Sequence, residues 1–168
     1  MDKWDACAFP VSEDALKWRI CYGGLDLSST TDITAFVLVF PPLDKEDKYY
    51  VLPYFWIHEE TLDLRVRHDH VPYDLWERQG TPMTTEGNVV HYGYIEKFIE
   101  QLGERFNIRE IAFDRWGSVQ MVQNLEGMGF AVVPFGQSFK DISPPTKELM
   151  KLVLEGTLAH GGTRCCGG

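Results

Sequence analysis

The sequence predicts an α/β domain in which a mixed β-sheet carries helices on both faces. Three strand-like segments follow one another between residues 22 and 58, and helix-like and strand-like segments alternate from residue 95 onward. Strands joined by short turns favour antiparallel pairing, whereas strands separated by helices favour parallel pairing. A chain of 168 residues is long enough to form one such domain with its own core.

Turn signals separate the first three predicted strands. The segments YGGLDLSS and TDITAFVLVF are joined by a polar turn at residues 28–32, and YYVLPYFWI follows the charged turn DKEDK and ends near His58. Residues 59–86 contain several Pro and Gly residues and are expected to form a long, irregular excursion. The segment GNVVHY after it reads as a further short strand.

Helices and strands alternate in the second half of the chain. The first helix is predicted by apolar residues at helical spacing, namely Ile95, Phe98, Ile99, Leu102 and Phe106. The strand REIAFD follows it, and the next helix is expected to begin at Ser118 and to direct inward Val119, Val122 and Leu125.

A strand, AVVPF, precedes the last predicted helix. Because Pro is favoured at the first helical position, we expect this helix to begin at Ser143-Pro144-Pro145. It is expected to end at Gly156, and its predicted core residues are Leu149, Leu152 and Val153.

Composition narrows the class of protein. The chain has 44% hydrophobic residues, no apolar run of 18 residues and no apolar leader at its N-terminus, which predicts a cytosolic globular domain. Its four cysteines lack the paired spacing of a zinc site. The net charge of −9 disfavours tight non-specific binding to duplex DNA, but it is compatible with an acidic metal site whose cations supply positive charge.

Two aspartates occupy strand positions where an unpaired charge would be costly to bury. Asp26 lies in the first strand, and Asp114 ends the strand REIAFD. On neighbouring strands, their carboxylates would approach to roughly 4.8 Å, which suits two metal ions about 4 Å apart. Hard oxygen ligands favour Mg²⁺ or Mn²⁺. The alternative is that each aspartate caps a turn, and sequence spacing does not decide between the two.

Several stretches resemble, in combination, the nuclease half of phage terminase large subunits. They are CYGGLDLSSTTDITA (21–35), TEGNVV (85–90), AFDRW (112–116), FGQ (135–137) and SPPTKEL (143–149). The resemblance runs in order from Trp4 to Gly162.

This resemblance implies an RNase H-like fold in which three acids hold two divalent metal ions, Mg²⁺ or Mn²⁺. Asp26 corresponds to the family's first-strand acid and Asp114 to the acid that ends its fourth strand. The third family acid lies on a later helix, which we expect this chain to lack. The implied activity is metal-dependent endonuclease cleavage of concatemeric double-stranded DNA during packaging.

The resemblance also suggests a domain organisation and partners. Residues 1–20 correspond to the linker from an ATPase motor domain, residues 21–162 to the nuclease domain, and residues 163–168 to an irregular tail. No GxxxxGK[ST] motif occurs, so the motor is expected to be absent. The implied partners are double-stranded DNA, the terminase ATPase domain, the small terminase subunit and the portal, in the cytoplasm of a bacterial host and with no membrane.

Other residues are weaker candidates. Those expected to orient the metal ligands are Ser28, Asp32 and Glu86. Those expected to contact DNA are Arg115, Trp116, Lys140 and Lys147. These candidates also have interpretations without a functional role. Asp32 and Glu86 could be hydrated turn acids, Lys140 and Lys147 ordinary surface lysines, and Trp116 a core residue. The pair His68 and His70 is more typical of solvated loop histidines than of a metal site.

Two other functions stay open. The stretch from Asp26 to Thr31 is similar to the first phosphate loop of sugar-kinase or actin-like ATPases, but Ser28 stands where that loop needs a glycine. The chain could also be a truncated prophage product that folds and only binds partners such as the portal.

Overall fold

One mixed sheet of seven strands organises the computed structural model, which describes residues 2–27, 33–58, 83–85, 92–114 and 119–162. The strands are β1 (Ile20–Asp26), β2 (Thr34–Phe40), β3 (Tyr49–His58), β4 (Met83–Thr85), β5 (Asn107–Asp114), β6 (Val132–Phe135) and β7 (Leu158–Ala159). Their order is β4-β3-β2-β1-β5-β6, and β7 pairs with β3. β1, β2 and β3 pair antiparallel, as predicted, whereas β5 is parallel to β1 and β6 is parallel to β5.

Five helices accompany the sheet within the described ranges. They are α1 (Asp2–Asp5), α2 (Glu13–Leu16), α3 (Tyr92–Arg105), α4 (Val119–Gly127) and α5 (Phe139–Glu155). The predicted periodicity of α3 is confirmed, because Ile95, Ile99 and Leu102 are fully buried. None of the helices of the described chain is long and apolar enough to cross a membrane.

The hydrophobic core lies on one face of the sheet. Alternate residues of β2 are buried, while the residues between them are only half-buried. The buried set includes Phe36, Leu38 and Phe40 of β2, the three residues of α3, and Met121 and Leu125 of α4. Each such side chain contributes about 1.5–3 kcal/mol when it is removed from water. Within the described residues, the side chains on the opposite face of β1, β2 and β5 are half-buried or exposed, which leaves room for a site.

The N-terminal segment packs against the end of the described chain. The rings of Trp4 and His160 stack with centroids 4.2 Å apart, and His160 Nε2 lies 3.0 Å from the Trp4 carbonyl oxygen. Cys7 is fully buried, and its backbone carbonyl accepts from His160 N–H at 3.2 Å. Residues 2–16 thus form two short helices joined to the body, and their assignment as a linker to a motor domain stays a prediction.

The last helix differs from its prediction. It begins at Phe139 and not at Ser143, because Ser138 provides the cap: the Asp141 N–H donates to Ser138 Oγ at 3.4 Å, and the hydroxyl donates to Asp141 Oδ2 at 2.6 Å. Both prolines then lie inside the helix. The predicted end is confirmed, since Gly156 closes the helix with φ 70°.

Two predicted sets of buried residues were partly wrong. α5 has no buried residue, and Leu149 of its predicted core set is 46% exposed. In α4, Val119 is 71% exposed and Met121 is buried in its place. Val119 is the first residue of α4, where a side chain extends beyond the end of the packed helix face.

The region between β3 and α3 also departs from its prediction. Residues 83–85, expected to be irregular, form β4, which pairs parallel with the end of β3. Residues 87–91 of the predicted strand GNVVHY lie outside the described residues, and Tyr92 begins α3.

A carboxylate organises the turn between β2 and β3. Asp47 Oδ2 accepts hydrogen bonds from the Leu43 N–H and from Arg19 Nη2, each at 3.0 Å. Arg19 Nη2 also donates to the Pro41 carbonyl at 2.8 Å. The pKa of Asp47 is lowered, first by the backbone donor of Leu43 and further by other donors that include Arg19. The ionised carboxylate therefore stabilises the turn.

We predict that Asp47→Asn lowers the free energy of unfolding at pH 7 by about 1 kcal/mol. Because the folded pKa is depressed, the wild-type advantage is fully present above the ordinary aspartate pKa of about 3.9 and is lost as pH falls through the folded value. Urea unfolding at several pH values measures this difference. Glu46→Gln, in the same turn, is the matched control. A difference between wild type and D47N that persists unchanged at pH 2 would contradict the assignment.

Candidate active site

The carboxyl ends of three parallel strands meet at one edge of the sheet. The pairing of β1 with β5 ends where Leu25 lies opposite Phe113. The next residue of each strand is an aspartate, so Asp26 and Asp114 are neighbours. On the other side of β5, Asp114 pairs with Phe135 of β6. The last residues of β1, β5 and β6 therefore lie side by side.

A β-bulge decides which face the two acids share. Cys21 of β1 lies opposite Ile108 of β5, but the next residue, Tyr22, lies opposite Glu110. Arg109 is therefore an extra residue of β5 without a partner on β1. Side chains alternate between the faces with a period of two. Without that shift, Asp26 would lie opposite Phe113, and Asp114 would point to the other face of the sheet.

The shared face is opposite the core. Leu25 is 5% exposed and packs in the core, whereas its neighbour Asp26 is exposed. On β5, Ile111 is fully buried and Asp114 is half-buried. Both carboxylates are thus accessible from solvent.

Both acids line a cavity of about 280 Å³. The other described residues that line it are mainly apolar and several are small: Gly24, Leu25, Ala35, Val37, Ala112, Phe113, Phe135 and Gln137. A methyl group built on Gly24 would meet no atom of the described residues within 4 Å apart from its chain neighbours, so these residues leave the space above Gly24 open. Small residues on three strands therefore form a hollow beside the acid pair.

The chemistry of the hollow favours a cation. Two carboxylates on adjacent strands, about 4.8 Å apart, repel one another unless positive charge lies between them. The apolar lining lowers the local dielectric constant, which strengthens attraction between a carboxylate and a bound cation. Their oxygens are the donors that hard divalent ions prefer. Across the described ranges, the chain has no cluster of three or more His, Cys, Asp or Glu side chains suited to a metal.

The structure places only part of the predicted site. It brings Asp26 and Asp114 together in the cavity. Lys140 and Lys147 are exposed on α5, which begins two residues after the cavity residue Gln137. The other candidates lie outside the described residues: Ser28, Asp32, Glu86, Arg115, Trp116, His68 and His70.

Sequence reasoning assigned no role to Gln137, although it lines the cavity. In the sequence, the stretch Phe135-Gly136-Gln137 contributes only to the family resemblance. A signal for it was available, because a residue just after the third parallel strand should lie at the same sheet edge as the two acids.

Comparisons of sequence place the chain in a known family. It matches the family described as terminase large subunit, endonuclease domain, over residues 1–166. It is 36% identical over 160 residues to the terminase large subunit of Enterobacteria phage HK97, covering 94% of this chain and 31% of that protein. It is 23% identical over 166 residues to protein YmfN of Escherichia coli strain K12, covering 95% of this chain and 36% of that protein. The chain thus spans about a third of the length of these relatives.

Comparisons of structure agree. The crystal structure of the HK97 bacteriophage large terminase superposes with a TM-score of 0.83 at 34% identity, covering 96% of this chain and 33% of that one. The large terminase nuclease from thermophilic phage G20c gives a TM-score of 0.54 at 14% identity, covering 89% of this chain and 64% of that one. The same nuclease with bound zinc gives a TM-score of 0.56 at 13% identity, covering 99% of this chain and 85% of that one.

The G20c likenesses concern the fold alone. Together with the HK97 superposition, they confirm the expected RNase H-like α/β fold. The family match gives no support to the ATPase interpretation. The chain belongs to the family of terminase large subunit endonuclease domains.

Proposed function

We propose that this chain is the divalent-metal-dependent endonuclease domain of a phage DNA-packaging terminase, and that it cuts concatemeric double-stranded DNA by phosphodiester hydrolysis. The observation that carries the proposal is the pairing of Asp26 and Asp114 at adjacent strand ends in one open cavity, in a chain of this family.

The donor set of the cavity fits Mg²⁺ or Mn²⁺. Asp26 and Asp114 supply only carboxylate oxygens, and both face solvent on the open side of the sheet. Oxygen-only donors favour these ions over zinc. The zinc-bound structure of the G20c nuclease supports a divalent metal in this fold, without identifying the ion that this chain uses.

Both acids would bind the metal ions. Asp26 would contribute oxygens to both ions, and Asp114 would hold one. Two bound ions supply activation of the attacking water and stabilisation of the departing 3′ oxygen. The apolar residues beside the acids leave the two carboxylates as the charged groups of the cavity in the described chain, and the pairing of β1 with β5 places them on neighbouring strands. Since such a site contacts the DNA backbone, low sequence specificity is expected.

The partners of the whole terminase are part of the proposal. The chain spans about a third of its relatives, so cleavage during packaging would involve an ATPase domain, a small subunit and the portal outside it. With a net charge of −9, the chain would depend on such partners and on metal ions to retain DNA.

A second candidate function is partner binding without cleavage. Among the described residues, no third His, Cys, Asp or Glu side chain joins Asp26 and Asp114 in a cluster that could hold a metal ion. This finding favours the second candidate. Such a module would bind a packaging partner and leave DNA intact.

We predict that the purified chain cleaves supercoiled plasmid in Mn²⁺ and that Asp26→Asn and Asp114→Asn each lower the rate by at least about 100-fold. Loss of a metal ligand removes several kcal/mol of transition-state stabilisation. Gel assays give the rate, and calorimetric titration with Mn²⁺ checks ion binding directly. Asp14→Asn, an exposed aspartate of α2, is the matched control.

Two outcomes would count against catalysis. If D26N cuts as fast as wild type, the acid pair is not the active site. If wild type binds partner proteins but neither cuts DNA nor takes up Mn²⁺, the binding-module function is the correct one.

We predict that Ala112→Leu abolishes cleavage while the fold is retained. Ala112 lies opposite Gly24 on the cavity face, so a larger side chain would occupy the hollow between the strands that carry the acids. Thermal melting should change little, since the added atoms enter open space. Ala131→Leu, an exposed position outside the cavity lining, is the control. Normal cleavage by A112L would show that substrate does not enter this hollow.

We predict that Lys140→Ala and Lys147→Ala weaken DNA binding and that each lowers the slope of log K against log salt concentration by about 1. The two lysines are seven residues apart on α5 and so lie on one side of the helix. Fluorescence anisotropy with a short duplex in Ca²⁺, with intact DNA verified on a gel, measures this effect. Lys45→Ala, in the exposed β2–β3 turn, should leave affinity and slope unchanged. Equal slopes for all variants would rule out these contacts.

A further inference from the structure

We propose that Gln137 contacts the substrate, its side-chain amide donating a hydrogen bond to a phosphate oxygen of the DNA strand held at Asp26 and Asp114. This inference rests on the proposed function. It adds a third strand end, that of β6, to a site so far built on β1 and β5.

Gln137 is placed at the site by the topology of the sheet. β6 is parallel to β5, and Phe135 pairs with Asp114, so the chain leaves the sheet at the edge where the acids lie. Two residues later, Gln137 lines the same cavity as Asp26 and Asp114. Among the described lining residues other than the two acids, it alone has a polar side chain.

The backbone on both sides of Gln137 is held in place. Phe135 is hydrogen-bonded within the sheet, and Ser138 caps α5 through its two hydrogen bonds with Asp141. The Asp141 carboxylate lies so close to Gly136 that any Cβ atom there would overlap it. The turn between β6 and α5 therefore presents Gln137 in a set position.

The side chain of Gln137 is available for a ligand. It is exposed, and no residue of the described ranges forms a hydrogen bond with it, including the two acids in the same cavity. A polar side chain with a set backbone and no hydrogen-bond partner among the described residues can bind an incoming group with little reorganisation.

An amide suits this position better than a charged group. A lysine or arginine would pair with the two carboxylates and compete with metal ions for them. A third carboxylate would repel the phosphates of DNA. The neutral amide adds no charge, and its N–H groups can donate to an anionic phosphate oxygen beside the bound ions.

Two measurements on the whole chain test this inference. Anisotropy gives the affinity for a short duplex in Ca²⁺, and cleavage in Mn²⁺ gives KM and kcat separately. Loss of a phosphate contact that is made equally in the ground and transition states raises KM and leaves kcat unchanged. We expect Gln137→Ala to weaken binding and to raise KM by about 10- to 100-fold, as for a lost hydrogen bond to a charged oxygen, with kcat within about threefold.

Two further variants sharpen the test. Gln137→Glu has nearly the same shape but replaces the donors by a charge, so its loss of affinity should equal or exceed that of Q137A. Gln123→Ala, an exposed glutamine of α4 outside the cavity, should bind and cleave as wild type does.

The outcomes separate this inference from the proposed function. If wild type cleaves and D26N does not, but Q137A matches wild type in affinity and KM, the proposed function stands and the role of Gln137 is refuted. A fall in kcat at unchanged KM and affinity would also refute the phosphate contact. If wild type neither binds nor cuts DNA, the proposed function fails and the inference fails with it.

Discussion

The parallel pairing of β1 with β5 is the interaction on which the site depends. It joins residues nearly ninety positions apart and places two aspartates on neighbouring strands at the same level. The bulge beside Tyr22 is as important as the pairing, because it shifts the register by one residue and so turns Asp26 and Asp114 to the same face. Buried residues on the other face, among them Leu25 and Ile111, hold that register.

The two faces of the sheet differ: one packs against helices and the other borders the cavity. The face covered by α3 and α4 provides burial, and its apolar side chains maintain the separation and direction of the strands. The other face carries small residues where β1, β2 and β5 adjoin, which leaves a hollow next to the acids. If the proposed site is correct, one face of the sheet provides stability and the other the chemistry. A substitution on the open face, such as one at Ala112, should then affect the site with little effect on the core.

Local patterns were sufficient for much of the fold. The alternation of β2 and the helical spacing from Ile95 to Leu102 follow from burial on one face and were predictable. Asp26 and Asp114 could be singled out from the sequence, because Asp26 lies in a predicted strand and Asp114 ends one, where an unpaired charge would be costly to bury. The bulge was not predictable, since it depends on pairing between distant segments. The start of α5 was misassigned because two good signals compete there, and the Ser138 cap outweighs the helix-starting preference of proline at Pro144.

Anomalous diffraction from crystals soaked in Mn²⁺ would show directly whether Asp26 and Asp114 share metal ions, because it locates the ions without relying on activity. We predict manganese peaks within about 2.5 Å of carboxylate oxygens of both Asp26 and Asp114, with Asp26 contacting two ions. Manganese bound only elsewhere on the molecule, or carboxylates of these two residues directed away from each other, would contradict it.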